Sequence, residues 1–580
     1  MKLIEALEIL RQPSPAARPF LRIYLACGFT PLHLQTFLAA ELRRNMSSHG
    51  VEIQTGLFGD LSGNLERSEH SATDVVATVV EWADLDPRLS IRSLGGWRPA
   101  DIPDIVDSAA EQLRRLLGIL RRLSRSRPVV CCLPTLPLPP VFPPLLQESG
   151  AHELHLRGLI ASFAADIASE PGVRVLNAQS LDERSPAGRR LDVKSELATA
   201  FPYTLEHAAA IAESLAVLIE DRQPKKGLIT DLDDTLWAGL LGELGVEGVC
   251  WTLELQAQEH GLYQQLLASL AAAGVLIGVA SKNDSALVDE AFRRRDLLLS
   301  GEAVFPFEVN WAAKSASVGR ILKAWNIAPD SVVFVDDSAF EVAEVKAAFP
   351  AMECIVFPRG DHSEFWDFMR RLRGLFGKRS VSDEDALRMA SIRSASATRD
   401  QEPVDSRGYS DEFLKSARGS LAFDWQKSPD ARALELINKT NQFNLNGKRL
   451  NEAAFRRFLD DPATFLVTVS YKDRFGPLGK IASVLGRRDG RTLVVTGWVM
   501  SCRAFSRRIE HHCLAYLFDK FDAEKIVLEY EQTSRNSVFQ EFLMAMNGIT
   551  SQHARPEITQ DLFLERSPAL VHRVTESVDG

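Results

Sequence analysis

The chain has 580 residues, 45% hydrophobic and 25% charged, an ordinary globular composition with enough length for more than one core. A formal charge of -10 excludes the basic footprint of a dedicated nucleic-acid binder. The seven cysteines (27, 131, 132, 250, 354, 502 and 513) include no C-x-x-C pair and are too sparse for a disulfide frame. No run of about 18 apolar residues offers a membrane span.

The first ten residues mix charge with apolar side chains and soon meet Pro13 and Pro15, so they lack the apolar centre of a signal peptide; a cytoplasmic location is expected. Up to residue 221, strand-like runs at 21–26, 51–55, 75–80, 129–133 and 173–176 alternate with helical patterns, notably 102–123 and 154–167. That alternation predicts a doubly wound α/β domain over 1–221. The loop 133–144 carries six prolines and is expected to be a stiff, solvent-facing connection. His207, four residues beyond Tyr203, is expected to cap or pack a helix.

Over 222–375 four polar tips follow four apolar elements in a fixed order. The string Lys226-Gly-Leu-Ile-Thr-Asp231-Leu-Asp233-Asp234-Thr235 puts two carboxylates two residues apart where a strand runs out. One can attack phosphorus while the other protonates the leaving oxygen and later deprotonates water. Next come Ser281, ending the run from Gly274, and Lys314, ahead of a helical pattern at 318–325. The run from Ser331 ends in Asp336-Asp337-Ser338. Such tips lie where an open parallel sheet presents its ligand crevice. The 50 residues from Asp231 to Ser281 (281 − 231) go largely to one helix at 253–273, and those from Ser281 to Lys314 hold another at 285–295. Neither leaves room for a cap domain, so the site is expected to be open.

The stretch 376–412 is polar and reads as a linker, either mobile or a loosely docked helix. Beyond it, over 413–580, strands are predicted at 464–471, 481–485, 492–500 and 525–530. A helix at 505–521 puts Ile509, Cys513, Leu517 and Phe521 on one face. Cys502 lies between the strand and that helix with Arg503, Arg507 and Arg508 beside it, a setting that favours a thiolate; the alternative is a cysteine packed on the sheet.

The ordered motifs resemble the haloacid dehalogenase (HAD) superfamily, here in a capless, Rossmannoid form. More narrowly, the strings Thr230 to Glu243, Ala280 to Asp284 and Phe334 to Ser338 resemble its FkbH-like branch, and the likeness continues into Ile437-Asn-Lys-Thr-Asn-Gln-Phe-Asn-Leu-Asn446. In these terms the first domain resembles an SGNH-hydrolase-like region, although Cys27-Gly-Phe-Thr30 stands where that fold's nucleophilic Ser would be. The last resembles a GNAT-like α+β acyltransferase domain, with Arg503 and Arg507 as cofactor-binding candidates in a loop whose two small positions hold larger residues. The resemblance implies Asp231 as nucleophile, Asp233 as acid/base, and Ser281 and Lys314 on the transferring phosphoryl group. It implies Mg²⁺ on Asp231, the main-chain carbonyl of Asp233, and Asp336, with Asp337 assisting through water. It further implies transfer of a glyceryl unit from 1,3-bisphosphoglycerate, with loss of phosphate, to the phosphopantetheine thiol of an acyl carrier protein; a glyceryl thioester on Cys502, suggested by its position and the arginines beside it, would join the two steps. Two alternatives stay open: a phosphatase of a small phosphorylated metabolite, and a biosynthetic scaffold with degenerate outer domains.

Overall fold

The computed structural model describes the chain except for residues 13–19, 47–48, 95–97, 141–144, 146, 222, 361, 379–391, 394–410, 475, 502–503, 506, 534, 548–554 and 577–580. It divides into two compact units, Met1–Arg222 with Leu450–Arg457, and Gln223–Arg449 with Phe458–Gly580. Among the described residues no helix is long and apolar enough to cross a membrane.

The first unit is built on five strands, β1 (Phe20–Cys27), β2 (Gly50–Thr55), β3 (Val75–Val79), β4 (Val129–Cys132) and β5 (Val173–Val175), all parallel in the order β2-β1-β3-β4-β5. The two-residue period of a strand splits them between two cores. Ile23, Leu25 and Cys27 join helices Leu32–Asn45 and Leu205–Glu220, whereas Tyr24 and Ala26 join Ile102–Ser126 and Ala151–Ala168. β3 and β4 are buried on both faces, which is why these two read as continuous apolar runs. The proline loop is not simply solvent-facing. Thr135 and Leu136 donate their backbone N–H groups to buried Glu81, and Trp82 Nε1 donates to the Leu136 carbonyl at 2.9 Å.

In the second unit, β6 (Gly227–Thr230), β7 (Leu276–Ser281), β8 (Val304–Val309), β9 (Val332–Asp336) and β10 (Glu353–Val356) form a parallel sheet in the order β10-β9-β6-β7-β8. The chain between β6 and β7 holds only short helical turns and the helix Gln258–Ala272, so no cap domain intervenes. That helix begins later than its apolar pattern suggests, because Gln256 takes a left-handed φ of 56° after the turn Leu253–Leu255. The helix of Lys314–Trp325 starts at Lys314 itself. Within the polar connector Ile392 is buried against this sheet's core, and Arg393 donates to the Val304 carbonyl at 2.6 Å.

The unit's second sheet comprises β11 (Ser420–Gln426), β12 (Phe443–Asn444), β13 (Thr464–Asp473), β14 (Gly476–Asp489), β15 (Thr492–Met500), β16 (Lys525–Leu528), β17 (Glu557–Thr559) and β18 (Arg573–Glu576). Its order is β17-β16-β15-β14-β13-β11-β18, antiparallel except at β15/β16 and β11/β18. β15 and β16 pair only as far as Val495 and Leu528, and beyond that point β12 lies on β15 instead. The segment after β12 fills the opening between the two strands. Asn446 Nδ2 donates to the carbonyls of Thr496 at 2.9 Å and Glu529 at 3.1 Å, and the Leu445 N–H donates to Trp498 O. The following helix is Ile509–Phe521, shorter at its start than expected, since Arg508 has a left-handed φ of 59°.

Candidate active site

β6 is a short, wholly buried strand, and its chain leaves the sheet at Asp231. Three turns bring the polar tips of β6, β7 and β9 together with Lys314, the first residue of its helix. Lys314 Nζ lies 2.6 Å from Asp231 Oδ1 and 3.0 Å from Asp336 Oδ2, and donates to the Ala280 carbonyl at 2.8 Å. All three charged residues are buried. Burial works to lower the Lys314 pKa, but the carboxylates of Asp231 and Asp336 outweigh it and hold the ammonium charged. Burial first, then the charge of Asp231, pushes Asp336 up to about 6 against the pull of Lys314.

Asp233 faces a different set of donors. Its Oδ1 accepts from Trp237 Nε1 at 2.9 Å and from the Leu241 N–H at 3.2 Å, while Oδ2 accepts from Asn283 Nδ2 at 3.0 Å. Burial, with the charge of Asp231 added, still raises its pKa above the ordinary carboxylate value. Asp231 thus sits against a fixed cation, and Asp233 is driven toward the protonated form. Environments that separate two carboxyls in this way suit a nucleophile and an acid. Ser281 is buried at the end of β7, where its carbonyl accepts from the Asn310 N–H at 3.0 Å.

Asp234 turns the chain at a φ of 51°, which Asp tolerates better than most residues, and its Oδ1 accepts from the Gly239 N–H at 2.7 Å. Its other oxygen pairs with Arg359 at 2.9 Å, and Arg359 also pairs with Asp337. Thr235 Oγ1 donates to Asp337 Oδ1 at 3.3 Å and accepts from the Asp337 N–H at 3.1 Å, locking the β6 loop to the β9 loop. Burial raises the Asp337 pKa, with Arg359 opposing. Sequence reasoning assigned no role to Asn283, Trp237 or Arg359. The first two lie within motif strings, while Arg359 follows β10 and carries no local signal.

Asp231, Asp336 and Asp337 can each present a carboxylate oxygen within 4.8 Å of the others. Asp231 Oδ1 and Asp336 Oδ2 are buried and accept no hydrogen bond among the described residues beyond their contact with Lys314. Hard oxygen donors with unspent lone pairs fit a divalent cation such as magnesium. The side chain of Asp233, held by Trp237 and Asn283, is not in this group.

Outside this cluster, Cys502 and Arg503 lie outside the described residues. The Arg507 side chain, largely buried, lies 3.8 Å from Asp473 and has its guanidinium 5.6 Å from the centre of the Tyr471 ring. In the first unit Cys27 is buried with Sγ donating to the Phe29 carbonyl at 3.2 Å, and burial pushes its pKa well up, as for an inert thiol. His207 is fully buried between the hydroxyls of Thr135 and Ser185, each at 2.8 Å, so both ring nitrogens are engaged.

No protein-family model matches the chain, and no curated protein does. Among solved structures, the chain is similar to the N-terminal part of the protein BF1531 from Bacteroides fragilis, described as containing a phosphatase domain complexed with Mg. The match has a TM-score of 0.53 and 18% identity, and covers 66% of this chain and 100% of that one. At this identity the likeness shows the fold alone, an α/β arrangement.

Proposed function

We propose that the chain is a magnesium-dependent phosphatase of HAD type. The observation that carries this reading is the division of the two motif carboxylates: Asp231 against Lys314 at 2.6 Å, Asp233 among neutral donors with a raised pKa. Asp231 attacks phosphorus, the bond to the leaving oxygen breaks, and protonated Asp233 supplies that oxygen's proton. Asp233, now ionised, takes a proton from the water that cleaves the aspartyl-phosphate. Lys314 offsets charge on the transferring group throughout. Magnesium, held by Asp231, Asp336 and Asp337, would supply Lewis-acid charge neutralisation.

The finer part of the proposal couples phosphate loss to transfer of a glyceryl unit from 1,3-bisphosphoglycerate to the phosphopantetheine thiol of an acyl carrier protein, in secondary-metabolite biosynthesis. Supporting it are the absence of a cap between β6 and β7, which admits a carrier-borne substrate, and a mixed sheet with a β15/β16 opening in the same compact unit. The filled opening and the buried Cys27 favour the simpler reading, a phosphatase of a small metabolite whose outer domains serve recognition.

Asp231→Asn tests the core of the proposal, because the amide keeps the shape but is a poor nucleophile. Phosphate release from an aryl phosphate should fall by several orders of magnitude, on the order of the loss seen for other covalent nucleophiles, with the circular dichroism spectrum unchanged. Turnover within about tenfold of wild type would sink it.

A further inference from the structure

Arg359 stands on the loop after β10, at the carboxyl end of the sheet that carries Asp231. Its Nη2 donates both to Asp234 Oδ2, at 2.9 Å, and to Asp337 Oδ2. We propose that this guanidinium competes with a divalent cation for Asp337, so that Arg359 sets how tightly the metal is held and gives way when it binds. The inference rests on the metal part of the phosphatase reading.

Asp337 has both oxygens engaged, Oδ1 by the Thr235 hydroxyl at 3.3 Å and Oδ2 by Arg359. A divalent ion held by Asp231, Asp336 and Asp337 therefore meets two resident cations, Lys314 on the first two carboxylates and Arg359 on the third. Burial decides which of them yields. The Lys314 side chain is 4% exposed, and its ammonium is also held by the Ala280 carbonyl at 2.8 Å, so moving it would strand a desolvated charge. The Arg359 side chain is 54% exposed, and water takes up its guanidinium as it leaves. Its grip is also the weaker kind. One nitrogen serves both carboxylates, so neither pair has the two parallel bonds that make an arginine fork strong.

The exchange needs no movement of backbone. Phe357 is buried and donates its N–H to the Asp336 carbonyl at 2.9 Å, Pro358 restricts the next residue, and Gly360 turns the chain at a φ of 77°. Arg359 is carried on this pinned segment, so a rotation of its long side chain is enough to free Asp337. The ligand also keeps its place without the guanidinium, because the Asp337 N–H donates to Thr235 Oγ1 at 3.1 Å and that hydroxyl donates back to Oδ1. Asp234 is not among the carboxylates that converge on the metal position, and its Oδ2 remains as an acceptor for the displaced group. The second carboxylate thus keeps the guanidinium near Asp337, ready to return when the metal leaves.

Isothermal titration of the full chain with Mg²⁺, and with Mn²⁺ for a second ion, tests the proposal. Arg359→Gln should tighten binding at least about threefold, the measurable end of what a half-exposed ion pair is worth. In an Asp337→Asn background, which keeps Asp231 and Asp336 as ligands, the same substitution should change affinity by less than about 1.5-fold, because the group competed for is gone. A charge acting only at a distance would tighten binding equally in both backgrounds. The rise in thermal midpoint from excess chelator to about 10 mM Mg²⁺ should also be larger in Arg359→Gln than in the wild type, a readout that needs neither heat of binding nor turnover. Unchanged or weaker binding in Arg359→Gln, or equal tightening in the two backgrounds, overturns the proposal and leaves the phosphatase reading standing if chelation still stops hydrolysis. A wild-type protein that binds neither ion removes both.

Discussion

Asp84, a few residues beyond β3, is fully buried, and its pKa is pushed up to about 7 by burial first and by the charge of Glu81, against the hydrogen bond it accepts from the Glu81 N–H at 2.8 Å. A carboxyl with a raised folded pKa holds a proton that the unfolded chain has already lost, so its contribution is full below the unfolded value near 4 and is lost as pH rises through about 7. Asp84→Asn removes the ionisation and should raise the thermal midpoint at about pH 8, with the gain shrinking toward about pH 5. A gain equal at both pH values would show that Asp84 titrates normally. At this scale the sequence was most readable where chemistry needs charge: Asp231, Lys314 and Asp336 are brought together on one side of the sheet. It was least readable where a side chain's direction decides its role. Asn283 was one letter of a motif string until its amide was placed on Asp233, and Arg359 stands 125 positions from the Asp234 it pairs with.

Two elements of the sheet that carries Asp231 fit through absent side chains. Gly227 on β6 and Gly278 on β7 leave room for the indole of Trp325, whose ring atoms would lie 2.6 and 2.8 Å from a Cβ added at either position. The ring is buried, and its Nε1 donates to the Phe305 carbonyl at 2.7 Å. Gly278→Val should therefore destabilise the chain by about 1–3 kcal/mol, the usual cost of overpacking, read as a lower denaturation midpoint at unchanged slope. A neutral result would mean that Trp325 swings aside at little cost. The sequence announces these strands by their apolar runs but gives no hint of why glycines interrupt them, because the indole arrives from a distant helix. The same limit hid β11, a half-buried strand, and β18, an exposed four-residue edge strand. Neither has a continuous apolar run, and each is fixed by its partner across the sheet.

Across the whole molecule, the Asp231 cluster and the end of β15 belong to one compact unit but to different sheets, so the two activities proposed for them should separate. Chelation should stop aryl-phosphate hydrolysis, whereas Cys502→Ala should leave it intact and abolish loading of a carrier protein, followed by mass spectrometry of enzyme and carrier. Full hydrolysis in excess chelator would remove the metal, and carrier loading by the alanine variant would remove the thiol. The domain-scale reading came from the order of polar tips and the short intervals between them, which the chain preserves whatever the packing. The filling of the β15/β16 opening depended on which backbone groups remain unpaired, and no local pattern records that. It has a kinetic consequence. The Leu445 N–H is spent on Trp498 and the Glu531 N–H on the Leu445 carbonyl, while the Asn446 side chain spans both strands. The segment should exchange its amide hydrogens as slowly as the strands it joins, at the pace of subglobal opening, although it reads as a polar loop. Asn446→Ala should return those amides to loop-like rates while β13 and β14 keep their protection.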